Sequence, residues 1–410
     1  MTERALLVII TFRKGHDWPI KDIADELNSL VVSCGAEVID IVLCKNIDPN
    51  PSSLIGEGKV KEIAEVCLNK DIDVVIFSED LKGNQQRNLE EVFETKTIDR
   101  TELILDIFAR RAVSQEGKMQ VELAQLEYLL PRLTGKGVEM SRPGGGIGTL
   151  GPGETKLEAD RRRINQRISK LKHELSEVAK SRKLKRKKRQ DSKTPAISLV
   201  GYTNAGKSTL LNLLTDAHQE TKDGLFTTLD PLSRQYILPN QQKVIFSDTV
   251  GFMHRLPHKL IEAFKATLEE VSEADLLLHV VDVSHPKFRD YHESVLEVLK
   301  ELGADKKPVV TVFNKIDKVA DHHELENLTD SFEHAVFISA KTGDNLGTLI
   351  LRIQDLIGES LVEVSADLPL NRMDLINLIH KHGHMRSIEY LSDRIHVCAT
   401  VPPRIADKLR

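Results

Sequence analysis

The sequence predicts a multidomain α/β protein in which a mostly parallel sheet is the main architectural unit. Three observations carry that expectation. Short apolar runs alternate with helical patterns over residues 1–116, and the alternation resumes at PAISLVGY and continues to about residue 358. Alternation of this kind gives parallel strands joined by crossover helices. The chain has 410 residues, more than one core normally serves, which suits two to four domains. Its 40% hydrophobic and 29% charged content are those of a globular chain, and no apolar run approaches the ~20 residues needed to span a bilayer.

Taken in order, ALLVII (5–10), AEVIDIVL (36–43) and DVVIFS (73–78) read as buried strands. Between the first two, Ile20, Ile23, Leu27, Leu30 and Val31 fall at helical spacing, and residues 59–69 and 85–96 read as further helices. MTERALLVIITFRKGHDW has charges on both sides of its apolar run and no small-residue cleavage site, so it is expected to be the first strand and not a signal peptide. These elements make an N-terminal α/β domain, 1–116.

Residues 117–192 change character. Val121, Leu126, Leu129, Leu130 and Leu133 outline one amphipathic helix, with Pro131 placed to kink or end it. Leu157, Ile164, Ile168, Leu171, Leu175 and Val178 form a heptad-like seam on a second helix. SRPGGGIGTLGPGE (141–154), with six glycines and two prolines, is a poor helix or strand and reads as the tip loop of a hairpin. Residues 359–410 give a strand (VEVSADLP), a helix (371–381) and a strand (RIHVCATVP), a small C-terminal α+β domain. His380, His382 and His384 look like a metal cluster, but only residues 380 and 384 would share a helical face and Gly383 would end the helix between them. Cys34, Cys44, Cys67 and Cys398 have no metal-ligand spacing and are expected to be buried free thiols in a reducing cytoplasm.

The net charge of −5 hides an asymmetry. Residues 154–189 hold 15 Lys or Arg against five acids, and KSRKLKRKKR (180–189) alone has eight cations. Such a block belongs to a polyanion-binding surface or to a solvated face, and charge alone does not choose.

The region 193–358 carries the chemistry. GYTNAGKS (201–208) fits G-x-x-x-x-G-K-S/T, follows the strand AISLV and opens the helical pattern STLLNLLT. Gly201, Asn204, Ala205, Gly206, Lys207, Ser208 and Thr209 would wrap phosphates with backbone N–H groups at a helix N-terminus. Lys207 would reach the β- and γ-phosphates, and Ser208 would hold Mg2+. VIFSDTVG ends a further strand with Asp248, a second Mg2+ candidate, and Gly251, whose N–H would meet the γ-phosphate. LFTTLD (225–230) offers Phe226, Thr227 and Thr228, with Thr228 the candidate Mg2+ ligand when a third phosphate is present. NKID places Asn314, Lys315 and Asp317 at a strand end. A carboxylate at Asp317 can accept N1–H and the exocyclic amine of guanine, a pair that adenine does not offer. SAK follows, as Ser339, Ala340 and Lys341, with the Ala340 N–H facing guanine O6. Five elements in this order predict a P-loop GTPase domain, with Lys207, Thr228 and Gly251 as its catalytic residues and GTP and GDP as its ligands.

The chain resembles the HflX family of ribosome-associated GTPases. The resemblance rests on IGEGKVKEI (55–63), IDRTELILDIFARRA (98–112), RPGGGIGTLGPGETKLEADRRRI (142–164) and DTVGFMHRLPHKLIEAFKATLEE (248–270), and it covers roughly residues 1–358. It implies a cytoplasmic protein that binds the large ribosomal subunit and its rRNA, through residues 142–167 and the basic run 180–189, and that splits or rescues ribosomes under stress. A monomer is expected, with no membrane partner. Arg142 and Gly144–Gly153 would form the RNA-facing tip, and Arg161, Arg162, Arg163 and Arg167 would neutralise phosphates.

Phe252 follows Gly251 where many GTPases keep a water-orienting glutamine, and the resemblance implies that a hydrophobic residue is normal there. A phenyl ring moves no proton, so intrinsic turnover should be slow. A group supplied by the ribosome is one candidate to complete the site. K+ held beside Asn204 is another, and His254 and His258 just downstream are a third. Two other function classes stay open: an ATP-dependent RNA remodeller acting through the N-terminal domain, and a GTP-regulated protein-binding module that does not act on ribosomes.

Overall fold

The N-terminal strand is buried without interruption from Ala5 to Ile10, as a strand flanked on both sides must be. In the computed structural model this strand, β1 (Arg4–Phe12), lies between β2 (Glu37–Ile47) and β3 (Val74–Phe77), with β4 (Lys96–Asp99) beyond β3. All three pairings are parallel. The structure describes residues 2–13, 18–133, 156–192, 194–215, 226, 232–240, 242–253, 265–319, 328, 332, 334–358, 362–401 and 403–409. The chain splits into two units: Met1–Ala179 with Asp223–Leu229 and Pro257–Phe264, and Lys180–Lys222 with Asp230–Leu256 and Lys265–Arg410.

In the first unit, helices α1 (Ile20–Ser33), α2 (Glu57–Asn69) and α3 (Gly83–Phe93) supply the crossovers, and α4 (Arg100–Arg111) follows the last strand. Leu6, Val8, Ile10, Val75 and Phe77 of the sheet pack with Ile63 and Leu89 into one core. The helical pattern over 85–96 ends earlier than its sequence suggests. Glu94 takes the left-handed conformation (φ 50°), which turns the chain out of α3 and into β4, a strand of four residues.

Ser114 caps α5 (Gln115–Leu129) by accepting the Gly117 N–H at 2.8 Å. The helix stops where Pro131 follows, in a single 3-10 turn, Leu130–Leu133. A second helix, α6 (Lys156–Ser192), runs for 37 residues, roughly 55 Å at the usual helical rise. Ile164, Ile168, Leu171 and Leu175 of its seam pack against Met119, Leu123, Leu126 and Leu130. Arg167 makes a two-pronged contact with Glu122 at 2.6 Å, and Lys172 reaches Glu127 at 2.7 Å. Arg167, grouped by sequence with the phosphate-neutralising cations, is therefore held within the helix pair. Arg142 and the glycine-rich tip lie outside the described residues.

A buried polar cluster joins the end of β4 to the 3-10 turn that follows α5. Asp99 is fully buried and accepts the N–H groups of Leu81 and Glu102, each at 2.9 Å, and the guanidinium of Arg132. Burial, together with the neighbouring Asp99, pushes the Glu102 carboxyl up to about 7. A carboxyl raised above its unfolded value of 4.5 binds its proton more tightly when folded, so its contribution is present at low pH and is lost as pH rises through about 7. Glu102→Gln should therefore make the first unit more stable at pH 8 than the parent, by about 1–3 kcal/mol, with little change at pH 5. Urea unfolding followed by the single tryptophan, Trp18, which lies in this unit, measures the difference.

In the second unit a six-stranded sheet has the order β10-β9-β8-β5-β7-β6, from β5 (Ala196–Gly201), β6 (Leu232–Ile237), β7 (Lys243–Asp248), β8 (Leu276–Asp282), β9 (Val309–Asn314) and β10 (Val336–Phe337). Only the edge strand β6 runs antiparallel. Helices α7 (Lys207–Thr215), α8 (Lys265–Glu273), α9 (Phe288–Glu301) and α10 (Leu346–Gly358) accompany it, and Ile197, Leu199, Leu278, Val310, Leu210 and Leu349 share its core.

The C-terminal region is a second, antiparallel sheet, β11-β13-β12, from β11 (Val362–Pro369), β12 (His384–Tyr390) and β13 (Arg394–Val401). Two helices, α11 (Met373–His382) and α12 (Pro403–Leu409), cover one face, with Ile376, Ile379 and Ile405 against Val364, Ile395 and Val397. Gly383 follows the last turn of α11 and His384 opens β12, which separates the clustered histidines into different elements. Burial of all four thiols is not what the structure shows. Cys44 and Cys67 are buried, but Cys34 and Cys398 are partly exposed. Cys398 stands on the outer face of β13 because Val397 and Ala399 occupy the inward positions.

Candidate nucleotide site

The central strand β5 ends at Gly201, where the backbone itself sets the shape. A Cβ there would lie 2.2 Å from the Val280 carbonyl oxygen of β8, so the turn out of the strand needs glycine. The loop continues through Asn204, left-handed at φ 60°, and Gly206 at φ 96°, and then enters α7 at Lys207. Ala205 is buried, Asn204 is exposed, and Thr209 sits in the first helical turn. Consecutive backbone groups thus ring the helix N-terminus, an arrangement suited to phosphate.

Lys207 is buried at the centre of this ring. Its Nζ donates to the carbonyls of Gly201 (3.0 Å) and Tyr202 (2.9 Å). Burial lowers the ammonium to about 8, while Asp248 opposes the shift. A desolvated cation of this kind gains strongly from an anion placed against it.

Asp248, at the end of β7, is fully buried and accepts the Ser208 hydroxyl at 2.6 Å. The DTVGF segment is laced to the phosphate loop by its main chain. Phe252 N–H donates to Gly201 O at 3.0 Å, and Thr203 N–H donates to Phe252 O at 2.8 Å. Gly251 comes so close that a Cβ would meet Thr203 at 2.8 Å and the Lys207 amine at 3.1 Å. Phe252 is 2% exposed and counts among the core residues.

At the other end of the site, Asn314 is buried with both ends of its amide engaged. Its Nδ2 donates to Ala205 O at 2.8 Å, and its Oδ1 accepts the Ala340 N–H at 2.9 Å. One side chain thus ties the phosphate loop to the SAK loop. Lys315, left-handed at φ 68°, donates to Asn204 O at 2.8 Å and pairs with Asp282 at 2.7 Å. Asp317 accepts the Ser339 hydroxyl at 2.7 Å, while Lys341 is exposed.

The structure therefore brings together the residues singled out at 201–209, 248–251, 314–317 and 339–341. Phe226 is grouped with the first unit; its backbone is left-handed (φ 56°) and its buried ring meets Phe108 edge-on at 4.6 Å. Thr227, Thr228, His254 and His258 lie outside the described residues. Two features escaped the sequence. Tyr202 stacks on Tyr291 at 4.0 Å, and His279 stacks on His292 at 4.7 Å beneath the strand ends. Burial, His292 and Lys207 hold the His279 imidazole well below its ordinary range, so it stays neutral.

Comparison with known proteins decides the family. Residues 21–109 match the family described as GTP-binding GTPase N-terminal, 111–189 its Middle Region, and 196–315 the family described as 50S ribosome-binding GTPase. A GTPase HflX of Caldanaerobacter subterraneus is 45% identical over 100% of this chain and 93% of its own length. The chain belongs to the HflX family of GTPases. The Escherichia coli HflX is 42% identical over 90% of this chain and 86% of its own. A crystal structure of a GTP-binding protein from Sulfolobus solfataricus with GDP shares 27% identity, covering 87% of this chain and 98% of that one, at a TM-score of 0.46. As an HflX GTPase this protein hydrolyses GTP. GTPases of this class generally use Mg2+, and the donor set fits it: the Ser208 hydroxyl and the Asp248 carboxylate are hard oxygen ligands set side by side. Among the described residues no helix is long and apolar enough to cross a membrane.

Proposed function

We propose that this HflX protein is a GTP-driven switch that binds the large ribosomal subunit through rRNA and splits or rescues ribosomes under stress in the cytoplasm. The observation that carries the reading is the burial of Phe252 with its main chain fixed to the phosphate loop. Among the described residues Phe252 offers no group that could orient water at the γ-phosphate, and a group supplied by a partner would complete the site. The match of residues 196–315 to the 50S ribosome-binding GTPase family supports the ribosome as that partner. So does α6, whose sequence ends in the cation-rich run 180–189.

The roles follow from placement. Lys207 and the N–H groups of the 201–209 loop hold the phosphates, Gly251 senses the third phosphate, and Asp317 with Ala340 selects guanine. Mg2+ held by Ser208 and Asp248, with Thr228 joining when GTP is bound, would neutralise charge on the transferring phosphate. Asn204 is the position for K+ if a monovalent cation assists. The division of labour is an N-terminal α/β domain (1–116), a basic hairpin (117–192), a GTPase domain (193–358) and a C-terminal α+β domain (359–410), acting as a monomer.

The test is GTP turnover in K+ and in Na+, each with and without isolated large ribosomal subunits. Turnover should rise by about 10³-fold or more with subunits, the lower end of what a completing group supplies in trans. An unchanged rate together with no sedimentation on the subunit would overturn the ribosomal reading. K+ acting alone would then be read directly from the subunit-free arms.

A further inference from the structure

The outer face of the C-terminal sheet carries a row of side chains that nucleotide chemistry does not use. β11 and β13 pair so that Ser365 stands opposite Cys398 and Asp367 opposite His396. On the other side of β13, β12 sets Ser387 opposite Cys398 and Glu389 opposite His396. The alternate residues of β11 and β13, among them Val364, Leu368, Ile395 and Val397, turn inward to the core.

The polar row is ordered. Asp367 Oδ1 lies 2.7 Å from His396 Nδ1. Nε2 of the same ring lies 3.3 Å from the Ser365 hydroxyl and 3.7 Å from Cys398 Sγ, and the thiol lies 3.6 Å from Ser365 Oγ. A carboxylate at Nδ1 fixes that nitrogen as N–H and aims the other nitrogen at sulfur, the nucleophile–base–orienter sequence of activated thiols.

We propose that Cys398 is a redox-modification site whose thiolate, paired with the His396 imidazolium, is oxidised by hydroperoxides to a sulfenic acid. The sulfur attacks one peroxide oxygen; an S–O bond forms and the O–O bond breaks. The leaving hydroxide takes the proton of the imidazolium and departs as water, or as an alcohol from an organic hydroperoxide. Sulfur is oxidised and the peroxide reduced, with no further co-reactant. Cys398 is the one cysteine in residues 359–410. The sulfenic acid is therefore capped by a small external thiol, which adds to sulfur and releases water.

The other three cysteines point the opposite way. Burial raises the thiols of Cys44 and Cys67, and pushes that of Cys34 up to about 11. At Cys398 the hydroxyls of Ser365 and Ser387 and the His396 ring lower the thiol, while Asp367 raises the imidazole. The other charged or titratable groups on this face are Glu363 of β11, His384, Arg386 and Glu389 of β12, and Asp393 and Arg394 at the start of β13. Arg386 is paired with Glu363, and Arg394 with Asp393 and Asp367, so the acids beside the thiol are largely balanced. Acyl transfer does not suit the place. β13 is the middle strand, its amides serve ladders on both sides, and none is left to form an oxyanion hole.

The test uses the full-length protein with hydrogen peroxide and a 1,3-diketone that traps sulfenic acid, read by peptide mass spectrometry. Cys398 should be trapped at least about tenfold faster than Cys34, Cys44 or Cys67. Alkylation of Cys398 by iodoacetamide as a function of pH separates an activated thiol from a merely exposed one. Its midpoint should lie below the ordinary thiol range, and His396→Gln should move it upward. Asp367→Asn should move it the same way by less. GTP turnover of these variants should equal the parent's and serves as the folding control. Trapping at the rate of the other three cysteines, or a midpoint indifferent to His396→Gln, would overturn the proposal.

Discussion

Replacing Lys207 by alanine is expected to lower GTP turnover by about 10²–10³-fold, the loss typical when one preorganised donor to a developing anion is removed. The effect should be large because this ammonium is buried, shifted down to about 8, and fixed by two carbonyls at the centre of the phosphate loop. Its charge is worth most where water is excluded. Lys207→Arg should recover little, since the wider guanidinium must fit a buried space so narrow that even a Cβ added to Gly251 would come within 3.1 Å of the amine. Single-turnover hydrolysis, with thermal unfolding followed by circular dichroism to verify folding, measures the loss. Nucleoside triphosphate turnover that survives Lys207→Ala would locate the activity outside this loop, as a remodeller working through the N-terminal domain requires.

Asp317→Asn should invert base preference. A carboxylate accepts both N1–H and the exocyclic amine of guanine. An amide offers one acceptor and one donor, which suits xanthine, where a carbonyl replaces the amine. Discrimination against a ligand that leaves a polar group of the site unpaired reaches about 10⁴-fold. The variant should therefore lose GTP binding by roughly 10³-fold and gain affinity for xanthosine triphosphate. Ser339 donates to Asp317 at 2.7 Å, and it can equally donate to the asparagine carbonyl, so the loop should keep its shape. Competition of both nucleotides against a fluorescent GTP analogue gives the two affinities. Unchanged GTP affinity would remove Asp317 from base recognition.

Much of the site was legible because its parts are short contiguous stretches in which local backbone geometry does the chemistry: a strand, a glycine turn and a helix start. The side chains that tie those stretches together were not. Asn314 reaches Ala205 across 109 positions of sequence, and the Tyr202–Tyr291 and His279–His292 stacks join distant stretches through neighbouring residues of one helix, α9. The same limit applies to the fold. β1, β2 and β3 announce themselves by continuous apolar runs, whereas β4 has four residues and is announced only by the left-handed turn before it. β12 was missed because HMRSIEY has no residue buried deeply enough to impose alternation. The polar outer face of β13 is visible only once the register of its neighbours is known. Strand VEVSADLP, by contrast, alternates cleanly and could be read from the sequence.

The amide of Asn314 has a consequence for how a nucleotide is weighed. Because the one amide of Asn314 bonds both Ala205 and Ala340, the proposed phosphate and base halves of the cradle are coupled through it. A ligand that satisfies one half meets the other already set, as the two jaws of a chelate are set by a common backbone. The free energy of ordering is then met once for the whole molecule, and phosphate and base each gain from the presence of the other. Nucleoside and polyphosphate offered as separate pieces forgo that joint benefit, so the intact nucleotide is favoured over its fragments by more than the sum of their contacts.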